Sequence, residues 1–190
     1  YIECTVLVQS LVLVHMTTFS NNSIAASVVI KNCTYVSINN LTLTKNRCHA
    51  KDILASFAIL GASWTCKMNE KMCGKIIIKD SVFIGNSGSF DTDVLLIDLH
   101  VKVLVLSSLF MNNVGHRGGG LRSIHLHDTE CTQTLIYKTK FINNTSIWQG
   151  ALTVENSKNV SVIMSYFVHN SVKRHTESLC AGGAMKLTMC

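Results

Sequence analysis

Val103 to Asn113 reads VLVLSSLFMNN, and Thr134 to Asn144 reads TLIYKTKFINN. Four more stretches align with these two without gaps. They are Val12 to Asn22 (VLVHMTTFSNN), Val36 to Asn46 (VSINNLTLTKN), Ile76 to Asn86 (IIIKDSVFIGN) and Val160 to Asn170 (VSVIMSYFVHN). The third position is Val or Ile in all six, and the sixth is Ser or Thr in five. The eighth is Phe in five, with Leu43 the exception, and the eleventh is Asn in all six. Agreement at so many columns marks an internal repeat, the feature whose period decides the fold. Unit starts are separated by 24, 40, 27, 31 and 26 residues. The basic unit is therefore about 25 residues long. A long insertion lies within 47–75 and a shorter one within 114–132.

Each unit continues through a loop into another apolar stretch, often opened by small residues. Gly119-Gly120-Leu121, Gly150-Ala151-Leu152 and Gly183-Ala184-Met185 are examples, and Val28 to Ile30 and Val94 to Ile97 sit in comparable places. Two or three short strands in so short a period leave no room for a crossover helix. Apolar alternation gives each strand one buried and one exposed face. Stacking such units buries a continuous core and pairs each strand with its counterpart in the next unit. The expected fold is all-β, a right-handed parallel β-helix of about six turns with the pectin-lyase-like form, occupying 1–190 as a single domain. At about 4.8 Å per turn, six turns span roughly 29 Å. Such a rod exposes unpaired edges at both ends, so the chain is expected to be an internal or partial segment of a longer one.

Two columns are assigned structural roles. Phe19, Phe83, Phe110, Phe141 and Phe167 are expected to form an internal aromatic stack. Asn22, Asn46, Asn86, Asn113, Asn144 and Asn170 are expected to form an amide ladder at a tight bend, where Asn tolerates the left-handed conformation.

Composition agrees with this reading. The 190 residues are 47% hydrophobic and 15% charged, with Val, Ile and Thr totalling 50, and there is no proline. Proline within a central strand deletes a ladder hydrogen bond. The low charge argues against a disordered segment or a coiled coil. The net charge of +6 is scattered, with no run of five basic residues, which argues against a nucleic-acid face. No apolar stretch reaches the length of a membrane span, so membrane attachment is expected only through segments outside this chain.

The Phe-x-x-Asn pattern followed by small residues resembles the repeats of chlamydial polymorphic outer membrane proteins. Phe110 to Asn113 precedes Gly118-Gly119-Gly120, Phe141 to Asn144 precedes Gly150-Ala151, and Phe167 to Asn170 precedes Gly182-Gly183-Ala184. Similar repeats occur in animal and protist surface proteins. The resemblance implies a passenger β-helix used in adhesion and display, and it brings no catalytic residues. The chain departs from the bacterial pattern in its eight cysteines and six Asn-x-Ser/Thr sequons, at Asn21, Asn32, Asn40, Asn143, Asn144 and Asn159. These features lean toward a eukaryotic protein of the cell surface or extracellular space, glycosylated and disulfide-bonded. Cys33 and Cys73 fall in one column of consecutive units and are expected to pair, with Cys66–Cys73 the competing bridge.

Three chemical readings were weighed against plain structural ones. His125 and His127, near Asp128, Glu130 and Cys131, have the spacing of a strand chelate, but exposed surface histidines are the simpler reading, and no metal or other cofactor is expected. Asp91, Asp93 and Asp98 cluster, and paired carboxylates would suit a polysaccharide lyase or hydrolase; Gly115-His116-Arg117-Gly118 is faintly similar to a hydrolase Gly-His-Gly turn. Solvated loop carboxylates are the simpler reading there. Gly118 to Gly120 lacks the Lys-Ser/Thr of a phosphate loop, Lys173-Arg174 reads as solvated surface, and Trp64 and Trp148 read as loop residues packed over a strand edge. The functional expectation is a non-catalytic, adhesin-like module whose insertions 47–75 and 114–132 bind an unidentified protein or glycan. A carbohydrate-active β-helix enzyme is the alternative.

Overall fold

A computed structural model describes residues 2–3, 11–22, 28–31, 33, 35–48, 55–60, 74–88, 93–100, 102–125, 132–173 and 183–188. Strand β1 (Ile2–Glu3) precedes the first unit, which contributes β2 (Leu11–His15), β3 (Thr18–Ser20) and β4 (Val28–Lys31). The second unit contributes β5 (Tyr35–Asn39), β6 (Thr42–Thr44), β7 (Arg47–Cys48) and β8 (Ala55–Leu60). The third holds β9 (Lys75–Lys79), β10 (Val82–Ile84), β11 (Ser87–Gly88) and β12 (Asp93–His100). The fourth holds β13 (Lys102–Leu106), β14 (Leu109–Met111), β15 (Val114–Gly115) and β16 (Leu121–His125). The fifth holds β17 (Gln133–Tyr137), β18 (Lys140–Ile142), β19 (Thr145–Ser146) and β20 (Leu152–Glu155). The sixth holds β21 (Asn159–Ile163), β22 (Tyr166–Val168), β23 (Ser171–Val172) and β24 (Met185–Thr188). No helix occurs among the described residues.

Every strand pairs in parallel with the equivalent strand of the neighbouring unit. The result is four parallel sheets, with the orders β2-β5-β9-β13-β17-β21, β3-β6-β10-β14-β18-β22, β7-β11-β15-β19-β23 and β1-β4-β8-β12-β16-β20-β24. The register follows the sequence columns: Val36 pairs with Ile76, Ile76 with Val103, Val103 with Thr134, and Thr134 with Val160. This is the arrangement expected of stacked β-solenoid units. The long second interval is absorbed outside the columns, so the 40-residue spacing leaves register intact.

The second to sixth units each carry four strands, more than the sequence pattern alone suggests, because the eleven-residue motif is itself bent. Its fifth position has positive φ in every unit: Met16, Asn40, Asp80, Ser107, Lys138 and Met164. Its tenth position does so as well: Asn21, Lys45, Gly85, Asn112, Asn143 and His169. The left-handed residue at the second bend is thus the one before the invariant Asn, which corrects the expectation that the invariant Asn itself supplies that conformation. Side chains as different as Lys45, Gly85 and His169 occupy the strained position, so backbone strain there is offset by the ladder on either side.

The invariant Asn is selected by its amide. Asn46 Nδ2 donates to Asn86 Oδ1 at 3.0 Å, Asn86 to Asn113 at 3.1 Å, and Asn113 to Asn144 at 3.0 Å. The second Nδ2 hydrogen donates back to the carbonyl of the eighth position one unit earlier, as from Asn113 to Phe83 O at 2.8 Å. Each Oδ1 also accepts the backbone N–H of the preceding Asn, as from Asn86 N to Asn113 Oδ1 at 2.9 Å. Asn46, Asn86, Asn113 and Asn144 are buried with all amide valences used. Beside them Phe83, Phe110, Phe141 and Phe167 stack face to face, with centroids 4.5, 4.9 and 4.8 Å apart and planes within 5°. Leu43 stands between this stack and Phe19.

A second ladder, which the sequence pattern showed only as a column, runs along the first bend. Ser81, Ser108, Thr139 and Ser165 each donate their hydroxyl to the carbonyl two residues earlier, at 2.8 to 3.1 Å. The same oxygens accept the backbone N–H of the preceding unit, as from Ser81 N to Ser108 Oγ at 3.2 Å. A hydroxyl at this position therefore satisfies a donor that the left-handed bend turns away from the sheet.

Replacing Asn113 by Ala strands the donors of Asn86 and the carbonyl of Phe83 in the interior. Urea unfolding is expected to show a loss of about 3–5 kcal/mol. The same change at exposed Asn22 is expected to cost about 1 kcal/mol or less.

Candidate functional site

In the fourth and fifth units a short segment, 116–120 and 147–151, joins the two-residue strand to the long one, and the two copies stack. Gly119 N donates to Gly150 O and Gly120 N to Ala151 O, both at 2.8 Å. A Cβ on Gly119 would lie 2.9 Å from the carbonyl carbon and oxygen of Thr145, closer than real Cβ contacts, so this approach requires glycine. The small residues read from the sequence as a turn are thus a packing requirement between units.

The stacked loops are pinned by a polar chain crossing four units. Asp93, at the start of β12, accepts the backbone N–H of Arg117 (2.8 Å) and of Gly118 (2.9 Å) on Oδ1. Its Oδ2 faces Arg122 Nη1 at 3.5 Å. Arg122 also grips Glu155 with Nε to Oε1 at 3.0 Å and Nη2 to Oε2 at 3.3 Å, a two-pronged pair. Gln149 lies between Glu155 Oε1 (3.3 Å from its amide nitrogen) and Lys186 Nζ (3.0 Å from its amide oxygen). Thr153 Oγ1 donates to Arg117 O at 2.9 Å. At the outer side, Trp148 Nε1 donates to His116 Nε2 at 2.7 Å, and the rings meet edge to face. That bond requires an unprotonated Nε2 on His116.

Burial dominates the electrostatics of this chain. Asp93 is 2% exposed, and its desolvation pushes the carboxyl above its ordinary range. The Gly118 N–H, the Arg122 charge and the Arg117 N–H oppose that shift without cancelling it. Burial works against the Arg122 cation, but Glu155 and Asp93 outweigh it and hold the guanidinium above its ordinary value.

Two sequence expectations are corrected here. Asp93 is not a solvated loop carboxylate, because it is buried under the 115–118 turn and anchors it. His125 is not on an exposed face: at 1% exposure it points inward, with Nε2 2.6 Å from Thr134 Oγ1 and 3.3 Å from Ser123 Oγ. Its strand position has the same parity as Leu121 and Ser123, which are also buried, so it belongs to the inner face. Asp98 is half-buried on β12, while Asp91, His127, Asp128, Glu130 and Cys131 lie outside the described residues. Among the described residues no group of three or more His, Cys, Asp or Glu is placed to hold a metal ion. Trp148 is half-buried against His116, and Trp64 lies outside the described residues. Lys173 is exposed and Arg174 lies outside the described residues.

The sequons separate by environment. Asn21, Asn40, Asn143 and Asn159 are exposed, and the first three occupy left-handed bends. Asn144 is fully buried within the amide ladder. Asn32 lies outside the described residues. Cys33 is buried and disulfide-bonded, and both Cys66 and Cys73 lie outside the described residues. Of the two insertions, 47–48, 55–60 and 74–75 of the first and 114–125 and 132 of the second are described.

No family model, no curated protein and no solved structure matches this chain.

The folded-state value of Asp93 is raised, so its contribution to stability is present at low pH and is lost as pH rises through that value. Replacing Asp93 by Asn removes this dependence and keeps an acceptor for the two N–H groups. The difference in unfolding free energy between the native chain and Asp93→Asn is therefore expected to move in favour of the variant as pH rises from about 4 to about 7. Chemical denaturation at a series of pH values checks the sign. Expression through a eukaryotic secretory route followed by glycopeptide mapping is expected to find glycan on Asn143 and none on Asn144 in folded protein, although the two sequons overlap.

Proposed function

We propose that this chain is a right-handed parallel β-helix acting as a non-catalytic extracellular or cell-surface scaffold, in which stacked units hold loops for binding a protein or glycan. The observation that carries this reading is the pairing of a fully satisfied amide ladder with a set of loops stacked unit on unit beside it. The ladder fixes the spacing of the units, and the Asp93–Arg122–Glu155 chain fixes the 115–120 and 147–150 loops against them. Both oxygens of Asp93 are committed to that task, which favours anchoring over acid–base work. Exposed Arg117 and half-buried Trp148 are then held on a rigid base, and these residue types dominate binding hot spots.

Placement outside the cell is supported by the four exposed sequons and by the bonded state of Cys33. The Phe-x-x-Asn pattern with following small residues, similar to the polymorphic outer membrane protein repeats, supports the adhesive role in the same direction.

The test is adhesion of cells, and binding to a glycan array, by the immobilised chain. Arg117→Glu combined with Trp148→Ala is expected to weaken binding by about tenfold or more while leaving the fold intact. Unchanged binding by that variant would remove the loops from the proposal. Cleavage of a polysaccharide by the native chain, lost in Asp93→Asn, would replace the scaffold with an enzyme.

A further inference from the structure

No column of the repeat keeps a lysine throughout, yet the fold gathers on one side of the stack lysines that the sequence spreads over 75–140. Among the described residues, every carboxylate on a strand belongs to the seven-stranded sheet: Glu3, Asp93, Asp98 and Glu155. The described strands of the other three sheets carry none. In the inner units those strands hold Lys75, Lys79, Lys102 and Lys140, and Lys138 stands at the bend between β17 and β18. In β9, β13 and β18 the residues alternating with the strand lysines are buried, among them Ile76, Val103 and Phe141. The four strand lysines therefore lie on the outer face of two adjoining sheets.

Register brings these cations together. Lys75 is directly opposite Lys102, one strand spacing of about 4.8 Å away. Lys79 pairs with Leu106, and Leu106 with Tyr137, so Lys138 stands two units from Lys79 at the same bend. Asp80 lies 3.5 Å from Lys79, and no other described carboxylate reaches the five lysines. Like charges so placed repel one another, and a negative partner relieves that repulsion. The groups between the lysines select the kind of anion. Lys75 Nζ is 6.0 Å from the centre of the Tyr35 ring, and Lys138 Nζ is 5.2 Å from that of Tyr137. Cations already cover both rings, so neither is an open platform for unpaired bases. The outward aliphatic side chains Ile77, Leu104 and Leu135 are half-buried, so the face lacks the open apolar surface that a bilayer takes up. What it presents is a set of flexible point charges on a rigid base. That suits a chain carrying a negative group on successive sugars.

We propose that the outer face of β9, β13 and β18, with the bend at Lys138, binds a sulphated polysaccharide. This is a second surface, separate from the 115–120 and 147–150 loops. The choice of a sulphated glycan among polyanions rests on the placement outside the cell proposed above. Sulphate groups take the ammonium groups of Lys75, Lys79, Lys102, Lys138 and Lys140 as partners, and the sugar rings lie along the stack. The carboxylates of the seven-stranded sheet keep the same anion off the opposite side.

Immobilised heparin is the probe, with the full chain in solution. Binding is expected to weaken as salt rises, and to be competed by free heparin but not by fully desulphated heparin. Lys102 and Lys140 are both exposed, so Lys102→Glu with Lys140→Glu leaves the interior untouched. That pair is expected to lower affinity about tenfold or more, with the far-ultraviolet circular dichroism unchanged. Arg117→Glu with Lys173→Glu changes the net charge equally on the loop side and is expected to lower affinity by less than about threefold. A native chain that does not bind heparin overturns the proposal. So does affinity retained by the first pair, or lost equally in the second. Competition by duplex DNA as strong as that by heparin overturns it too, as does binding to phosphatidylserine vesicles in place of heparin. The loop reading fails or stands separately, because Arg117→Glu with Trp148→Ala leaves all five lysines in place.

Discussion

Each inner asparagine of the eleventh column is bonded four times, and the rest of the structure is arranged around keeping those bonds in line. The amide donates forward to the next amide and back to the carbonyl beside the stacked phenylalanines. Its oxygen takes two donors from the unit before. A buried amide with any of these positions empty would cost more than most side-chain contacts return. The ladder therefore permits only one spacing between units and only one register. Units may differ by sixteen residues in length, as the second interval of the repeat does relative to the first, provided that the extra residues leave the columns alone.

That constraint explains where variation is allowed. Outward positions of the strands carry Lys, Ser, Leu and Tyr without pattern, while inward positions are mostly Val, Ile, Leu and Phe, with Ser123, His125 and Thr134 among the exceptions. The left-handed positions tolerate Met, Asp, Lys and Gly, since the bonds on either side hold the backbone in place. Loops outside the columns then need an anchor of their own. Asp93, Arg122 and Glu155, one each from the third, fourth and fifth units, supply it, using charge where the strands use amides. Arg122 serves both carboxylates and offsets part, not all, of the penalty that the buried Asp93 carries.

Much of this architecture was legible before any coordinates. The repeat gave the parallel stacking, the register, the aromatic stack and the amide column, because a residue that must meet its own counterpart one unit away recurs at a fixed place in the pattern. The hydroxyl column was visible as a preference for Ser or Thr, but its purpose was not, since hydroxyls serve many ends and only the bent backbone beside them shows a donor in need. The bend itself was placed one residue late. The strained φ lies at Asn21, Asn112 and Asn143 as well as at Lys45 and His169, and a position that many residue types fill leaves no signature.

The candidate site was far less legible, for a physical reason. Asp93 and His125 each read as surface residues because carboxylates and histidines are usually solvated. Their burial is decided by Arg117, Gly118 and Arg122 in one case and by Thr134 in the other, all on different strands or loops. Two overlapping sequons, Asn143 and Asn144, are equivalent as text and opposite in environment. The sequence by itself determined the repeat, its columns and the strand-only character of the chain, because these follow from each unit having to match the next. Only the tertiary structure decided which polar groups are sealed inside and what they hold, because burial is a property of neighbours brought together across loops of unequal length.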